Sequence, residues 1–514
     1  MVCKLSWIQT LFFESGPSSP VGPFPEAVSP ERFICVHGHF YQPPRESPWT
    51  GEIEDQPSAR PYRNWNERIT AECYRPLAER GVYARMSFDF GPTLLQWLER
   101  KQARVYRAVL QADQESRRSF SGHGSAMAQA YNHMILPLAN HRDRVTQVVW
   151  GMRDFEWRFG RRPEGMWLPE TAVDLESLEI LAGQGIGFTV LAPHQARRVR
   201  FPPHGQWKEE GIDPRRAYGL KLSSGREIKI FFYDGSISAA LAFEGLATDG
   251  PGLAARLQQG FDPEPSRAQL VHAAADGETY GHHHAGGDRA LEEALRRIES
   301  GGSARLTNYA EFLEKHPPIH EVEVVEKSSW SCPHGIDRWW SHCGCSSGAH
   351  PGWSQSWRTP LRDALDWLRD TAAPLYEREA GKLLKDPWAA RDRSIELELD
   401  PSPEARRRFM EEQAVQPLSE ESRARALSWL DLQRQLLLMY TSCGWFFDDI
   451  GGIETVQTLR FAARAVELAE ELSGAPLEPR FLELLARAKS NDPEKIDGRR
   501  IYENEARLAQ RERK

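Results

Sequence analysis

The sequence predicts an α/β fold, namely a seven-stranded parallel (β/α) barrel followed by an α-helical C-terminal domain. Three observations lead to this prediction. Short apolar runs, each followed by a stretch with helical spacing, recur seven times between residues 33 and 274. A polar cluster directly follows each run. Beyond residue 320 the strand pattern gives way to amphipathic helical spacing.

The predicted strands are short and rich in apolar or β-branched residues. Between them lies helical spacing, as in Leu175, Leu178 and Leu181 behind a predicted N-cap at Asp174. Strands that alternate with helices in this way are typical of parallel sheets. The predicted strands occupy residues 33–36, 83–88, 119–121, 165–168, 188–191, 227–233 and 269–274.

Side chains that can bind or react follow these runs directly. In a parallel barrel the βα loops open at the carboxyl ends of the strands, so such residues surround one mouth. Strand ends are also polar simply because they meet water, but seven clusters in succession favour a shared site. The side chains are His37, His39, Asp89, His123, Glu170, His194, Gln195, Asp234, Asp276 and Glu278.

Three regions are predicted along the chain. Residues 1–31 are expected to form a flexible extension, because residues 14–31 are rich in Pro, Ser and Gly, and residues 32–320 are expected to form the barrel. Residues 321–514 form the helical domain, which begins with a Trp- and Cys-rich segment. Its final residues, 490–514, are charged and are predicted to be solvated or frayed. Helices are predicted around 360–382, 419–442, 453–473 and 479–489.

Composition excludes several classes of protein. The 514 residues carry 65 Lys+Arg against 73 Asp+Glu without a long basic run, so we expect no nucleic-acid partner. No apolar run approaches the roughly 18 residues of a membrane span, so we expect no membrane partner. Seven cysteines are too few for a disulfide scaffold. With no signal-peptide pattern, this predicts a cytoplasmic protein; the oligomeric state is left open.

Two carboxylates stand out as catalytic candidates: Glu170 in MWLPET and Asp234 in FFYDGS, each after an apolar strand. The usual motifs of acyl and phosphoryl transfer are absent from the sequence. Two carboxyl groups facing one cleft can cleave a glycosidic bond, because one protonates the leaving oxygen while the other stabilises or attacks the anomeric carbon. The residues alone do not assign these roles, and carboxylates that only cap helices or pair with Arg are the alternative.

As a set, the motifs over residues 32–320 resemble glycoside hydrolase family 57. Two segments depart from the family pattern. The usual contiguous His-Gln-Pro is spread over residues 39–43, and residues 121–137 lack the Glu of the usual Gly-x-x-Glu. The resemblance is carried by VHGHFYQPP at 36–44, SFDFGPTLLQWLE at 87–99, GMWLPETA at 165–172, FFYDGSIS at 231–238 and DGETYGHHH at 276–284.

The resemblance implies an amylase-like enzyme that cleaves or transfers α-glucosidic bonds of an α-glucan or malto-oligosaccharide with retention. It implies Glu170 as nucleophile, Asp234 as acid/base, a carbohydrate substrate, and neither cofactor nor metal. Residues 330–345 and 439–457 resemble an uncharacterised domain found in one branch of the family. The residues expected to bind substrate are His37, His39, Gln42, Asp89, His123, Trp167, Asp276, Glu278 and His282.

Two other functions remain open at this point. A metal-dependent deacetylase or mannosidase-like enzyme on a related barrel would use the histidines with Asp89 or Asp276 as zinc ligands. A non-catalytic glucan-binding protein would keep the barrel without turnover. The histidines that invite the first alternative are His37, His39, His123, His133, His282, His283 and His284.

The Trp- and Cys-rich segment permits two interpretations. Cys332, Cys343 and Cys345 could bind a metal together with Cys443, but their spacing matches no common motif, so buried apolar thiols are favoured. The aromatic residues of the segment can form sugar-stacking platforms, although domain core is the favoured interpretation for any one of them. They are Trp330, Trp339, Trp340, Trp353 and Trp357.

Overall fold

The computed structural model describes residues 31–201, 205–209, 211–264 and 267–507. The extension predicted over 1–31 lies outside these residues except for its last position. The strands are β1 (Arg32–Phe40), β2 (Ser87–Phe90), β3 (Ala126–Gln129), β4 (Met166–Trp167), β5 (Phe188–Leu191), β6 (Ala196–Arg200), β7 (Ala217–Lys221), β8 (Glu227–Phe232), β9 (Gln269–Asp276), β10 (Arg305–Leu306) and β11 (Glu321–Val324).

The first sheet is parallel and is built around β1. Its order is β10-β1-β2-β3-β4, and β9 pairs with β1 along almost its whole length. Eight of the nine residues of β1 are buried, as expected for a parallel strand that is covered on both faces. The carboxyl ends of β1, β2, β3, β4 and β9 therefore lie along one side of the sheet.

The second sheet is mixed and has the order β5-β8-β7-β11-β6. It meets the first sheet at an isolated parallel bridge between Gly165 and Phe188. The predicted α/β class with a parallel sheet is confirmed, but the seven-stranded barrel is not, because the strands divide into sheets of six and five. A shared buried cluster that contains Phe33, Trp167, Phe188 and Phe231 also connects the two sheets.

Two predicted strands are displaced. Residues 119–121 lie at the end of a helix, and Ser121 and Gly122, with φ of 54° and 97°, turn the chain before β3 begins at Ala126. The run at 83–88 begins as a 3-10 turn over Val82–Arg85, and β2 starts only at Ser87. In both places buried aromatic residues give the sequence the apolar pattern of a strand, because a short apolar run does not distinguish a strand from the end of a helix.

Helices surround the sheets and form the C-terminal region. The first ten are α1 (Trp65–Ile69), α2 (Arg75–Glu79), α3 (Pro92–Lys101), α4 (Ala103–Ser119), α5 (His141–Phe159), α6 (Leu175–Gly183), α7 (Gly235–Phe243), α8 (Gly250–Gln259), α9 (Gly287–Gly301) and α10 (Tyr309–Lys315). The others are α11 (Arg358–Ala380), α12 (Pro387–Arg393), α13 (Glu396–Leu399), α14 (Pro403–Gln413), α15 (Glu420–Leu438), α16 (Cys443–Phe446), α17 (Ile453–Ser473), α18 (Glu478–Leu485) and α19 (Gly498–Ile501).

The helical C-terminal region is confirmed, and α11, α15, α17 and α18 correspond to the four predicted helices. Its apolar core continues into the loop after β3 and into α5, where Tyr131 and Trp150 belong to the same buried cluster as Trp339 and Trp357. This continuity brings the end of α15 to the carboxyl side of the parallel sheet. No helix within the described ranges is long and apolar enough to cross a bilayer.

The prediction of a frayed end is wrong for residues 490–507. Ile501 and Tyr502 are each 1% exposed, and the Tyr502 ring packs edge-on against Phe481 at a centroid distance of 5.5 Å. Two buried apolar side chains outweigh the charged residues around them, because burial of each contributes about 2 kcal/mol. The rest of the predicted frayed end, 508–514, lies outside the described residues.

Candidate active site

Register places three polar side chains side by side at the centre of the parallel sheet. His39 on β1 pairs with Asp89 on β2 and with Asp276 at the end of β9. Residues at equal register on neighbouring strands point to the same face, so these three converge at the carboxyl ends of the strands. This is the side of the sheet on which a shared site was predicted.

A buried hydrogen-bond chain runs through this layer. Asp89 accepts from His37 Nε2 at 3.0 Å and from His39 Nδ1 at 2.9 Å. His39 Nε2 lies 3.0 Å from His133 Nε2, and His133 Nδ1 lies 2.6 Å from Ser442 Oγ. Because Ser442 directly precedes α16, the chain joins the sheet to the C-terminal region.

The environment gives the three histidines different charges. Although burial opposes it, the charge and hydrogen bond of Asp89 raise the pKa of His39 to about 9. Burial outweighs the same carboxylate at His37 and lowers its pKa. Burial and the charge of His39 hold the pKa of His133 well below its usual value. These shifts favour a charged His39 at neutral pH, with His39 Nε2 donating a hydrogen bond to Nε2 of a neutral His133.

Glu170 lies in the turn after β4 in a strained conformation. Its φ and ψ are 56° and 22°, and Thr171 also has a positive φ of 50°. Such left-handed residues cost about 1–3 kcal/mol each and persist only where surrounding contacts impose them. Two hydrogen bonds join Thr171 to Gln195. Thr171 Oγ1 donates to Gln195 Oε1 at 2.8 Å, and Gln195 Nε2 donates to the carbonyl oxygen of Thr171 at 2.9 Å.

Two donors hold the carboxylate of Glu170. Trp330 Nε1 donates to Oε2 at 2.9 Å, and Ser331 Oγ donates to the same oxygen at 2.7 Å. The pKa of Glu170 is nevertheless raised, first by burial and then by the charge of Asp276, while the two donors and His39 oppose the shift. Asp276 is therefore near enough to Glu170 for its charge to raise the pKa of that carboxyl group.

Asp276 and Glu278 complete the acidic side of the site. Asp276 is solvent-exposed at the end of β9, but the protein atoms around it still raise its pKa by desolvation, with His39 opposing the rise and Asp89 adding to it. Burial and the charge of Asp276 raise the pKa of Glu278 to about 7. Glu278 is 4% exposed, and its Oε1 accepts from the hydroxyl of Tyr74 and from the backbone N–H of Tyr41.

Asp234 lies directly before α7, two residues after the end of β8. Its Oδ1 accepts from the backbone N–H of Ile237 at 2.9 Å, as the N-cap of α7. The preceding residue, Tyr233, turns toward the site: its ring lies 6.4 Å from that of Trp330, and its pKa is raised by burial and then by the charge of Asp276.

Some other predicted site residues serve different purposes. His123 precedes β3 and pairs with Glu164 at 2.6 Å, at the amino ends of the strands, so its prediction as a substrate ligand is wrong. The displaced third strand caused this error. Trp167 is fully buried beneath the rings of His37 and His39, stacked at 4.7 and 5.1 Å.

Gln42 and His282 lie at the edge of the site. Gln42 Oε1 accepts from Arg45 Nη2 at 3.1 Å, and its Nε2 donates to the carbonyl of Tyr41. His282 Nδ1 lies 2.5 Å from Glu72 Oε2. Both residues follow strands of the parallel sheet on its carboxyl side, but both already bind protein groups.

Two residues that contact the central groups were not predicted from the sequence. Gln129 donates to Asp89 Oδ2 at 2.9 Å. It is the last residue of β3, so a correctly placed third strand would have revealed it. Ser331 is in a segment with little regular structure, and nothing local in the sequence indicates its contact with Glu170.

Comparison with known proteins gives two family matches. A profile described as "Glycosyl hydrolase family 57" matches residues 31–325. A second, described as "Domain of unknown function (DUF3536)", matches residues 353–513. No curated protein matches the chain.

Several solved structures share the fold. An exo-type maltose-forming amylase from Pyrococcus sp. ST04 superposes with a TM-score of 0.68 at 18% identity, covering 88% of this chain and 82% of that chain. A branching enzyme from Thermococcus kodakaraensis gives 0.53 at 15% identity, covering 89% and 91%. A 4-α-glucanotransferase from Thermococcus litoralis gives 0.52 at 16% identity, covering 86% and 60%.

Proposed function

The chain belongs to glycosyl hydrolase family 57, and from this membership we propose that it cleaves or transfers α-glucosidic bonds by double displacement. The substrate class is an α-glucan or malto-oligosaccharide. The observation that carries the proposal is the carboxylate of Glu170, which lies in a strained turn after β4 and accepts hydrogen bonds from Trp330 and Ser331. Double displacement requires a second carboxyl group at the same site.

Glu170 is assigned the role of nucleophile. Two hydrogen-bond donors on one carboxylate oxygen favour its ionised form and fix its orientation. The free oxygen can then attack the anomeric carbon and form a glycosyl-enzyme while the bond to the leaving oxygen breaks. The strained turn at Glu170 supports this role, because strain of this kind is concentrated at functional sites.

The family resemblance implies Asp234 as the acid/base, which stays the alternative; we assign the role to Asp276. It shares the register layer with His39, and its charge affects both Glu170 and Tyr233. Desolvation raises the pKa of Asp276, which favours the protonated form that a general acid needs. Asp276 would give this proton to the leaving oxygen and then take one from the acceptor.

The acceptor decides between hydrolysis and transfer. Both reactions pass through the same glycosyl-enzyme, which releases a shorter product when water attacks and a longer one when a sugar hydroxyl attacks. The structural relatives include a protein named as an amylase and one named as a glucanotransferase. Incubation with a defined malto-oligosaccharide distinguishes the two, because only transfer gives products longer than the substrate.

A seven-stranded barrel around this site is part of the proposal. It would consist of β1, β2, β3, β4, β5, β8 and β9. The bridge from Gly165 to Phe188 supports its closure between β4 and β5. The backbone hydrogen bond from Asp234 N to His272 O, 2.8 Å, supports its closure between β8 and β9. Residues 32–320 would form this barrel, 321–514 the helical domain, and the enzyme would act in the cytoplasm.

The rival interpretation as a metal-dependent deacetylase requires free imidazole nitrogens at the site. Both ring nitrogens of His37 and of His39 lie within hydrogen-bond distance of protein groups. A metal would have to replace these contacts. Glycoside cleavage by two carboxyl groups needs no such rearrangement, so it is the function that the geometry supports best.

Three variants test the assignments: Glu170→Gln, Asp276→Asn and Asp234→Asn. Glu170→Gln should abolish turnover and preserve glucan binding. Asp276→Asn should lower turnover of maltoheptaose by about 10²–10⁴-fold. It should still form the glycosyl-enzyme from an aryl malto-oligosaccharide with a good leaving group, and added azide should restore its turnover. Asp234→Asn should behave like the wild type, since Asn is also a good N-cap.

The outcomes separate the competing assignments. Azide rescue of Asp234→Asn alone would return the acid/base role to Asp234. Turnover by Glu170→Gln at the wild-type rate would refute double displacement through Glu170. Tight glucan binding with no turnover by the wild type would favour the non-catalytic binding protein.

A further inference from the structure

We propose that Cys332, His334, Cys343 and Cys345 form a structural zinc site, which lies in the segment between the two family matches. Their four ligand atoms all lie within 4.8 Å of one another. Among the described residues, no other group of three or more His, Cys, Asp or Glu side chains has a geometry that could hold a metal. The site is separate from the carboxylates assigned to catalysis.

Three of the six distances between ligand atoms are close to those of a tetrahedral centre. Cys332 Sγ lies 3.7 Å from Cys345 Sγ and 4.0 Å from Cys343 Sγ, and Cys345 Sγ lies 3.6 Å from His334 Nδ1. Zn–S bonds of about 2.3 Å and a Zn–N bond of about 2.0 Å put neighbouring ligand atoms about 3.6–3.8 Å apart. A small contraction would therefore bring all four ligands onto one ion.

The ligand set selects zinc by its chemistry. Three thiolates and one imidazole in tetrahedral geometry are typical of structural zinc sites. Binding releases thiol protons to solvent and involves no redox change. The sequence had grouped the three cysteines with Cys443, but the structure brings His334 into the cluster instead. Cys443 lies outside this cluster and begins α16. Burial raises the pKa of its thiol, and the charges of Glu454 and Glu170 add to the rise.

Two buried arginines supply an independent argument. Arg358 is fully buried, and its guanidinium contacts the carbonyl of Cys345 at 2.9 Å and Cys343 Sγ at 3.9 Å. Arg338 is 5% exposed and donates to the carbonyls of Ser331 and Phe446. Neither forms an ion pair with a carboxylate within the described residues. Zinc with three thiolates has a net charge of −1, which would balance this buried positive charge.

The site would hold a segment that has little other support. Between β11 and α11 the described chain contains one short helical turn, Asp337–Trp339. Cys332 directly follows Trp330 and Ser331, the two donors to Glu170. Tying Cys332 to Cys343 and Cys345 would therefore position both donors. This effect on Glu170 rests on the proposed function, whereas zinc binding does not.

Metal analysis of the full-length protein tests the proposal directly. The protein is purified under reducing conditions without chelators, and its zinc content is measured by mass spectrometry. We expect about one zinc per chain. Titration with a mercurial thiol reagent should release this zinc, and replacing it with Co²⁺ should give the strong visible bands of tetrahedral thiolate coordination. These measurements use the wild type and do not depend on activity.

Two variants with a matched control complete the experiment. Cys343→Ser and His334→Ala should lose most of the zinc and unfold at lower temperature. His342→Ala should keep it, because His342 is an exposed neighbour of Cys343 outside the cluster. If the metal-depleted protein is active, the acid limb of its kcat/KM profile should move to higher pH, because Glu170 loses its donors.

Three results would overturn the zinc site. The first is wild-type protein that contains no zinc and takes up neither Zn²⁺ nor Co²⁺. The second is stoichiometric iron instead of zinc, and the third is a disulfide between two of the three cysteines in non-reducing peptide mapping. A zinc-containing protein without any glycosidase or transferase activity would refute the proposed function and leave the zinc site standing.

Discussion

Trp330 binds Glu170 through two groups. Its indole Nε1 donates to the carboxylate Oε2 at 2.9 Å, and its backbone N–H donates to the carbonyl oxygen of Glu170 at 3.1 Å. One residue from the segment that links the sheets to the C-terminal region thus fixes both the strained backbone and the carboxylate. The reactivity of Glu170 therefore depends on a segment distant in sequence.

Ser331→Ala should move the acid limb of kcat/KM to higher pH. The hydroxyl of Ser331 stabilises the ionised form of Glu170, so its removal raises the pKa of that carboxyl group. A hydrogen bond to a charged group contributes about 1.5–3 kcal/mol, which corresponds to roughly one pH unit or more. The measurement is kcat/KM against pH. Ser341→Ala, in the same segment but bonded to a backbone carbonyl, should leave the profile unchanged; equal profiles for all three proteins would contradict the prediction.

Asp89→Asn should flatten the pH dependence of stability at alkaline pH. The pKa of His39 is raised in the folded state to about 9, from 6.5. Its contribution to stability is thus fully present below pH 6.5 and lost as the pH rises through 9. Without Asp89 about 3 kcal/mol should be missing below pH 6.5. Denaturant unfolding at pH values from 6 to 9.5, about the range of the shift, measures the free energy of unfolding of both proteins. The difference between wild type and Asp89→Asn should shrink as the pH rises. A difference that stays constant with pH would mean that Asp89 acts through packing.

Glu278→Gln should stabilise the protein increasingly as the pH rises. Burial raises the pKa of Glu278 to about 7 in the folded state, so the wild type loses stability as the pH rises from about 4.5 through 7. Gln keeps the acceptor for Tyr74 and Tyr41 without the buried charge. The melting temperature of the variant relative to wild type should rise between pH 5 and pH 8, about the span of this titration. A relative melting temperature that falls with pH would mean that the charge is stabilising.

Asp143→Asn should strongly destabilise the contact between α5 and α12. Arg391 Nη1 lies 2.7 Å from Asp143 Oδ1, and these side chains are 3% and 7% exposed. Removing one charge of a buried pair leaves the other uncompensated, which costs about 3–5 kcal/mol. Chemical unfolding measures the loss. Arg480→Ala, from an exposed pair with Glu483, should change stability by less than about 1 kcal/mol, and equal effects would show that burial of the first pair does not matter.

Local patterns predicted much of the fold. Five of the seven predicted strands begin within one residue of a strand in the structure. They were predictable because an apolar run that ends in polar residues is a local signal. The third strand was missed, since Phe120 is buried at the end of α4 and resembles a strand residue. That one displacement both added His123 to the predicted site and hid Gln129.

By itself the sequence determined the α/β class, the helical C-terminal region, the family, and the strand-end positions of Glu170, Asp276 and His39. These follow from spacing and from motifs that are contiguous in the chain. Only the tertiary structure decided which carboxylate interacts with Glu170, that Trp330 and Ser331 hold it, and that His334 joins the three cysteines. The physical reason is that such contacts join segments far apart in sequence, and their geometry is set by strand register and packing.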